Sequence, residues 1–231
     1  MPPDDGRFSL AAVGFADWRV DRVEPVSGDV SDLLAEAGGS SDLLIYVHGF
    51  NQTFETATLD AAKLSDGIRF RGRTMWSRDA FERVLSSIVS APSAGRVHIV
   101  AHSMGTMLTL ESLRQLYAHY GDTVTGRIGA VVFAAPDIDM DVFSSAISRI
   151  GPLAGKITVI TATNDRALAL SGEIAGGMTR VGAAEKAVIE RLGVRVVDAS
   201  EVGWGIINHD LFLSNADVRR VIRRSIDTAA A

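Results

Sequence analysis

Val97-His98-Ile99-Val100-Ala101-His102-Ser103-Met104-Gly105 decides the fold. The uncharged run 97–100 suits a strand buried on both faces, and apolar residues at helical spacing begin directly after it, over 104–117. A strand that becomes a helix within two residues, with serine at the turn, is the pattern of a nucleophile elbow. The small residues Ala101 and Gly105 let neighbouring backbone pass close to that turn. The helix N-terminus offers N–H groups to an anion forming beside the serine. Ala101 stands where the G-x-S-x-G consensus has glycine, and the shared requirement is smallness.

Outward from this elbow the chain repeats the same alternation. Further apolar runs lie at 43–47, 128–135, 157–162 and 194–197, and helical spacing covers 53–64, 77–89, 141–150, 183–192 and 214–227. Strands alternating with helices predict a mostly parallel, twisted sheet with helices on both faces. Residues 8–15 and 19–23 read as two short antiparallel strands ahead of it. The 231 residues, 47% hydrophobic, suffice for one α/β domain over 1–231. Arg219, Arg220, Arg223 and Arg224 sit opposite Val218, Val221, Ile222 and Ile226, as on the solvated face of a last helix. Ser214-Asn215-Ala216-Asp217 has the look of its capping box.

Composition removes several function classes. A net charge of -5, with acidic and basic residues mixed, gives no footprint for nucleic acid. No apolar run is long enough to span a bilayer, and Met1-Pro2-Pro3-Asp4-Asp5-Gly6 lacks a basic-then-apolar leader. The expectation is a cytoplasmic protein acting on a small molecule, with no sign of its oligomeric state. With no cysteine in the chain, disulfides, thiolate metal sites and cysteine nucleophiles are excluded.

A serine needs a base within reach and an acid to orient that base. Thr163-Asn164-Asp165 follows the run 157–162 and puts Asp165 past the carboxyl end of a strand, where open α/β sheets gather their sites. His209 follows the last strand through the loop Gly203-Trp204-Gly205-Ile206-Ile207-Asn208. The order Ser103, Asp165, His209 is nucleophile, acid, histidine. Asp137, in Ala134-Ala135-Pro136-Asp137, also follows a strand and is the alternative acid. His48-Gly49-Phe50-Asn51 after the first buried strand suits an oxyanion turn, with Phe50 and Met104 as backbone donors and His48, Gly49 and Asn51 in support. His102 is expected to point away from the nucleophile by strand alternation, and Leu168, Leu170, Ile174 and Met178 to form an apolar side of the pocket. No metal or organic cofactor is required. Serine at the elbow speaks against haloalkane-type chemistry, which uses a carboxylate there.

On these residues the chain resembles the α/β-hydrolase superfamily, and more closely a bacterial subfamily catalogued as a domain of unknown function. The likeness rests on Tyr46-Val47-His48-Gly49-Phe50-Asn51, Ala101-His102-Ser103-Met104-Gly105, Ala134-Ala135-Pro136-Asp137, Asn164-Asp165-Arg166-Ala167-Leu168 and His209-Asp210. It implies the eight-stranded superfamily fold and an esterase-like triad. Members carry a further strand and a Ser-Trp-Pro loop where only residues 66–75 stand here, so a shortened strand is expected, with 67–70 as its stub. The short connection between the runs at 128 and 157 implies a minimal cap. The resulting expectation is a serine carboxylesterase or lipase-like hydrolase. The same triad also serves thioesterases, amidases and acyltransferases, and the fold also occurs in non-catalytic binding proteins.

Overall fold

The computed structural model describes residues 42–50, 52–69, 73–76, 81–90, 95–174, 176–201, 213 and 215–230. In chain order these form β1 (Leu43–Val47), α1 (Phe54–Gly67), β2 (Arg73–Trp76), α2 (Phe81–Ser90), β3 (Val97–His102), α3 (Gly105–Tyr120) and α4 (Asp122–Arg127). There follow β4 (Ile128–Ala134), α5 (Met140–Ile147), a 3-10 turn (Gly151–Lys156), β5 (Ile157–Thr161) and α6 (Arg166–Ile174). A second 3-10 turn (Val181–Ala183), α7 (Lys186–Glu190), β6 (Arg195–Asp198) and α8 (Ala216–Ala230) complete the series.

The six strands form one sheet in the order β2-β1-β3-β4-β5-β6, every pair parallel. Each residue of β1, β3, β4 and β5 is buried, because helices cover both faces. Alternation divides the core. Ile45, Ile99, Phe133 and Val159 face the layer of α2, α3, α5 and α7, while Leu44, Val100, Val132 and Ile160 face α1 and α8. With all strands parallel, the turns after β1, β3, β4, β5 and β6 emerge on one edge.

Several boundaries differ from expectation. Of the strand stub placed at 67–70, residues 67–69 are instead the end of α1 and the turn after it, and Phe70 lies outside the described residues. Ile68, 2% exposed, caps that helix, and Arg69 follows in a turn at φ +52°. The short strand lies further on, at Arg73–Trp76, beside Leu43–Tyr46. Helix α2 begins at Phe81, with 77–80 outside the described residues. The helix expected over 183–192 is a 3-10 turn followed by the short α7. Gly182, within that turn, is pinned to the strand ends through Ala162 N–H to its carbonyl (2.8 Å) and its own N–H to the Pro136 carbonyl (2.9 Å), and the extended backbone of Ala184 and Glu185 separates the turn from α7. Helices α4 and α6 were not anticipated. Asn215 Oδ1 caps α8 by accepting from the Asp217 and Val218 amides, and Ser214 of the expected capping box lies outside the described residues. The expected strands at 8–15 and 19–23 also lie outside them.

Candidate active site

Strand β3 ends at His102, and Ser103 takes φ +52° before α3 begins at Gly105. Such a backbone costs a non-glycine residue on the order of 1–3 kcal/mol, so the surroundings must hold it. The Ser103 amide donates to the Ala134 carbonyl (3.0 Å), and its carbonyl accepts from the Thr106 amide (3.0 Å), the Thr106 hydroxyl and the Asp137 amide (3.4 Å). The flanking glycine has a steric reason. A Cβ on Gly105 would lie 2.4 Å from the His48 carbonyl oxygen and 2.7 Å from that of Val47. The end of β1 therefore crosses the elbow at backbone contact. Gly49 repeats this from the other side, since its Cβ would stand 3.0 Å from Ser103 Cβ.

Ser103, 7% exposed, lies at a cavity of about 420 Å³ with Gly49, Phe50, Met104 and Leu168 in its wall. Phe50 is largely exposed there and Met104 partly so. His48 is buried, and its Nδ1–H donates to the Gly49 carbonyl at 2.8 Å. In a trans peptide the C=O and the following N–H point in opposite directions. Fixing the Gly49 carbonyl thus fixes the direction of the Phe50 N–H. Asn51 lies outside the described residues.

Asp165 follows β5 in a turn closed by its amide on the Ala162 carbonyl (3.0 Å), and is 1% exposed. Its Oδ1 accepts from the Ala167 and Leu168 amides (2.9 and 3.2 Å), so it also caps α6. Asp137 borders the Ser103 cavity, but its carboxylate is engaged. Ser171 Oγ donates to it at 2.8 Å, and Arg180 Nε stands 3.1 Å away as an ion pair. The β5 turn is tied to the end of β6 by Thr163 N–H to Ser200 Oγ (2.9 Å) and Asn164 Nδ2 to the Ser200 carbonyl (2.8 Å). His209 lies outside the described residues.

Two cavity residues escaped the sequence reading. His102 borders the cavity instead of pointing away, because alternation presumes extended backbone and Ser103 is not extended. Gln52 also lines it, with Nε2 donating to Asp60 Oδ2 at 2.7 Å, and Asp60 pairs with the buried Lys63 at 3.7 Å. The only hint of this was the polar residue after His-Gly-Phe-Asn. Of the four apolar residues expected to line the pocket, Leu168 does so, while Leu170, Ile174 and Met178 are exposed outside it. No helix among the described residues is long and apolar enough to cross a membrane.

Residues 70–225 match the family described as alpha/beta hydrolase of unknown function (DUF900). Comparison with curated protein sequences finds no significant match. Among solved structures, Est1E from Butyrivibrio proteoclasticus is similar at a TM-score of 0.50 and 11% identity, over 85% of this chain and 91% of that one. A cutinase-like protein from Cryptococcus sp. (TM-score 0.46, 13% identity, 84% and 97%) and Zea mays acyl-protein thioesterase 2 (0.45, 12%, 82% and 95%) also align.

Proposed function

The chain belongs to this alpha/beta hydrolase family, and from that premise we propose that it is a serine hydrolase of carboxylic esters. Ser103 is the nucleophile, His209 the general base and Asp165 the orienting acid. The observation that carries the reading is Ser103 at φ +52°, held at a cavity between the β1 turn and the start of α3.

Ser103 Oγ attacks the ester carbonyl as His209 takes its proton, and the carbonyl oxygen becomes an oxyanion. The Phe50 and Met104 N–H groups receive that charge. One such donor contributes about 3–4 kcal/mol to the transition state, which gives the His48 to Gly49 hydrogen bond its purpose. Collapse of the tetrahedral intermediate passes the proton from His209 to the leaving alcohol and leaves the acyl group on Ser103. Water then attacks, His209 again takes a proton, and serine and free acid are released.

The choice of Asp165 is supported by position. It follows β5, two strands from the strand of Ser103 at about 4.8 Å each, and its turn is tied to the end of β6, from which the chain runs on to His209. Asp137 is occupied by Arg180 and Ser171. The test is labelling with a serine-directed phosphonate, followed by peptide mass mapping. An adduct on Ser103 that vanishes on denaturation before labelling supports the reading; a folded protein that never reacts there overturns it.

A further inference from the structure

The arginines of α8 do more than face solvent. Arg219, Arg220 and Arg223 border a cavity of about 550 Å³ between α8 and the end of α1, and Arg69 joins them from the turn after α1. Asp227 is the one carboxylate among the described residues of its wall. Two of these guanidiniums are already committed. Arg223 Nε holds Asp227 at 2.8 Å while its Nη1 donates to the Ile68 and Arg69 carbonyls (2.6 and 3.1 Å), clamping the end of α1. Arg220 pairs with Asp217 at 2.6 Å, but both side chains are about 60% exposed, and such a pair reorients at little cost.

Arg69 and Arg219 have no carboxylate partner among the described residues. Arg219 is nevertheless preset. Its Nη1 donates to the Leu213 carbonyl (3.3 Å), and its stem lies over Gly67, where a Cβ would come within 2.8 Å of Arg219 Cδ. Arg69 occupies the left-handed region at φ +52°, which side-chain-bearing residues rarely adopt. Arg219 and Arg223, one turn apart on α8, also repel each other. Like charge gathered and preset around one cavity, in a chain of net charge -5, calls for an anion.

We propose that this cavity binds a phosphate-bearing ligand through Arg69 and Arg219, with Arg220 swinging in from its rim. A carboxylate is saturated by one guanidinium fork, whereas a phosphoryl group has oxygens enough for two. The site lies apart from Ser103 and does not depend on the hydrolase reading.

The test titrates the full chain with inorganic pyrophosphate by calorimetry at low salt, and in parallel with phosphatidylcholine vesicles with or without phosphatidic acid. Saturable pyrophosphate binding, weakened about tenfold by Arg69→Gln or Arg219→Gln and further by both together, supports a free phosphate compound. Binding only to phosphatidic acid vesicles, with the same losses, supports a lipid headgroup. Binding of neither probe, or binding indifferent to both substitutions, overturns the proposal. Should Arg219→Gln lower the melting temperature by loosening the α8 start, Arg69→Gln, on an exposed turn, carries the test alone.

Discussion

Gly105→Ala sets two physical effects against each other at the proposed nucleophile. Helix propensity favours alanine by about 1 kcal/mol in a helix interior, and less at the first residue of α3. Against it, the new Cβ would meet the His48 and Val47 carbonyl oxygens at 2.4 and 2.7 Å. Both are backbone atoms of a buried strand end, so neither yields by a rotamer change. Overpacking of this kind costs about 1–3 kcal/mol, so the net effect is destabilising. For a chain of this size each kcal/mol lowers the melting temperature by about 2–4 °C. The same displacement moves the His48-Gly49-Phe50 turn away from Ser103, and a misplacement of about 1 Å can cost about 100-fold in rate. Gly126→Ala is the control, because Gly126 lies within α4 with nothing within 4 Å of its Cβ position. Thermal denaturation and ester hydrolysis of both variants read the result. Gly105→Ala is expected to be less stable and much less active, and Gly126→Ala equally active and slightly more stable. A Gly105→Ala protein as stable and active as wild type would refute the reasoning.

Asp165→Asn keeps a side chain that caps α6 nearly as well as aspartate but cannot stabilise a histidinium. It is expected to hold its melting temperature while kcat falls by about 10⁴, as for the buried acid of a serine triad; unchanged turnover would remove Asp165 from the mechanism. Asp137→Asn is expected to do the reverse, weakening the tie to Arg180 and Ser171, so the melting temperature falls and most turnover survives. His98, buried in β3 beside Asp42, has its pKa lowered, first by desolvation and despite the hydrogen bond its Nε2–H donates to Asp42. The unfolded chain then binds the proton more readily than the native one, so stability declines as pH falls below about 6.5, the ordinary imidazole value. Urea midpoints between pH 8 and 5 are expected to show this slope, flattened in His98→Gln; an equal slope in both proteins would contradict it.

The parts of the fold legible in sequence were those fixed by local pattern. Mostly apolar runs marked β1, β3, β4 and β5, because burial on both faces leaves few polar positions in them. Helical spacing over 53–64 marked α1, and the capping box of Thr53 with Thr56 is what the structure adds at its start. What depended on distant partners was not legible. The helix expected over 183–192 is interrupted because Ala184 and Glu185 are extended, after a turn whose Gly182 is held by Ala162 and Pro136. The strand Arg73–Trp76 exists because β1 pairs with it, and its own four residues carry no alternation to announce it. Helix α6 starts where Asp165 caps it, a role hidden by reading that aspartate only as an acid. Within the site, the elbow and the His-Gly turn were visible as motifs. The approach of β1 to Gly105, the engagement of Asp137 by Arg180 and the presence of Gln52 and His102 at the cavity follow only from the packed sheet.

The central claim is nucleophilic catalysis by Ser103, and the most direct test is hydrolysis of chromogenic acyl esters of increasing chain length by wild type and Ser103→Ala at equal concentration and matched folding. The account predicts turnover by wild type that is abolished in the variant. Equal hydrolysis by a folded Ser103→Ala protein would contradict it.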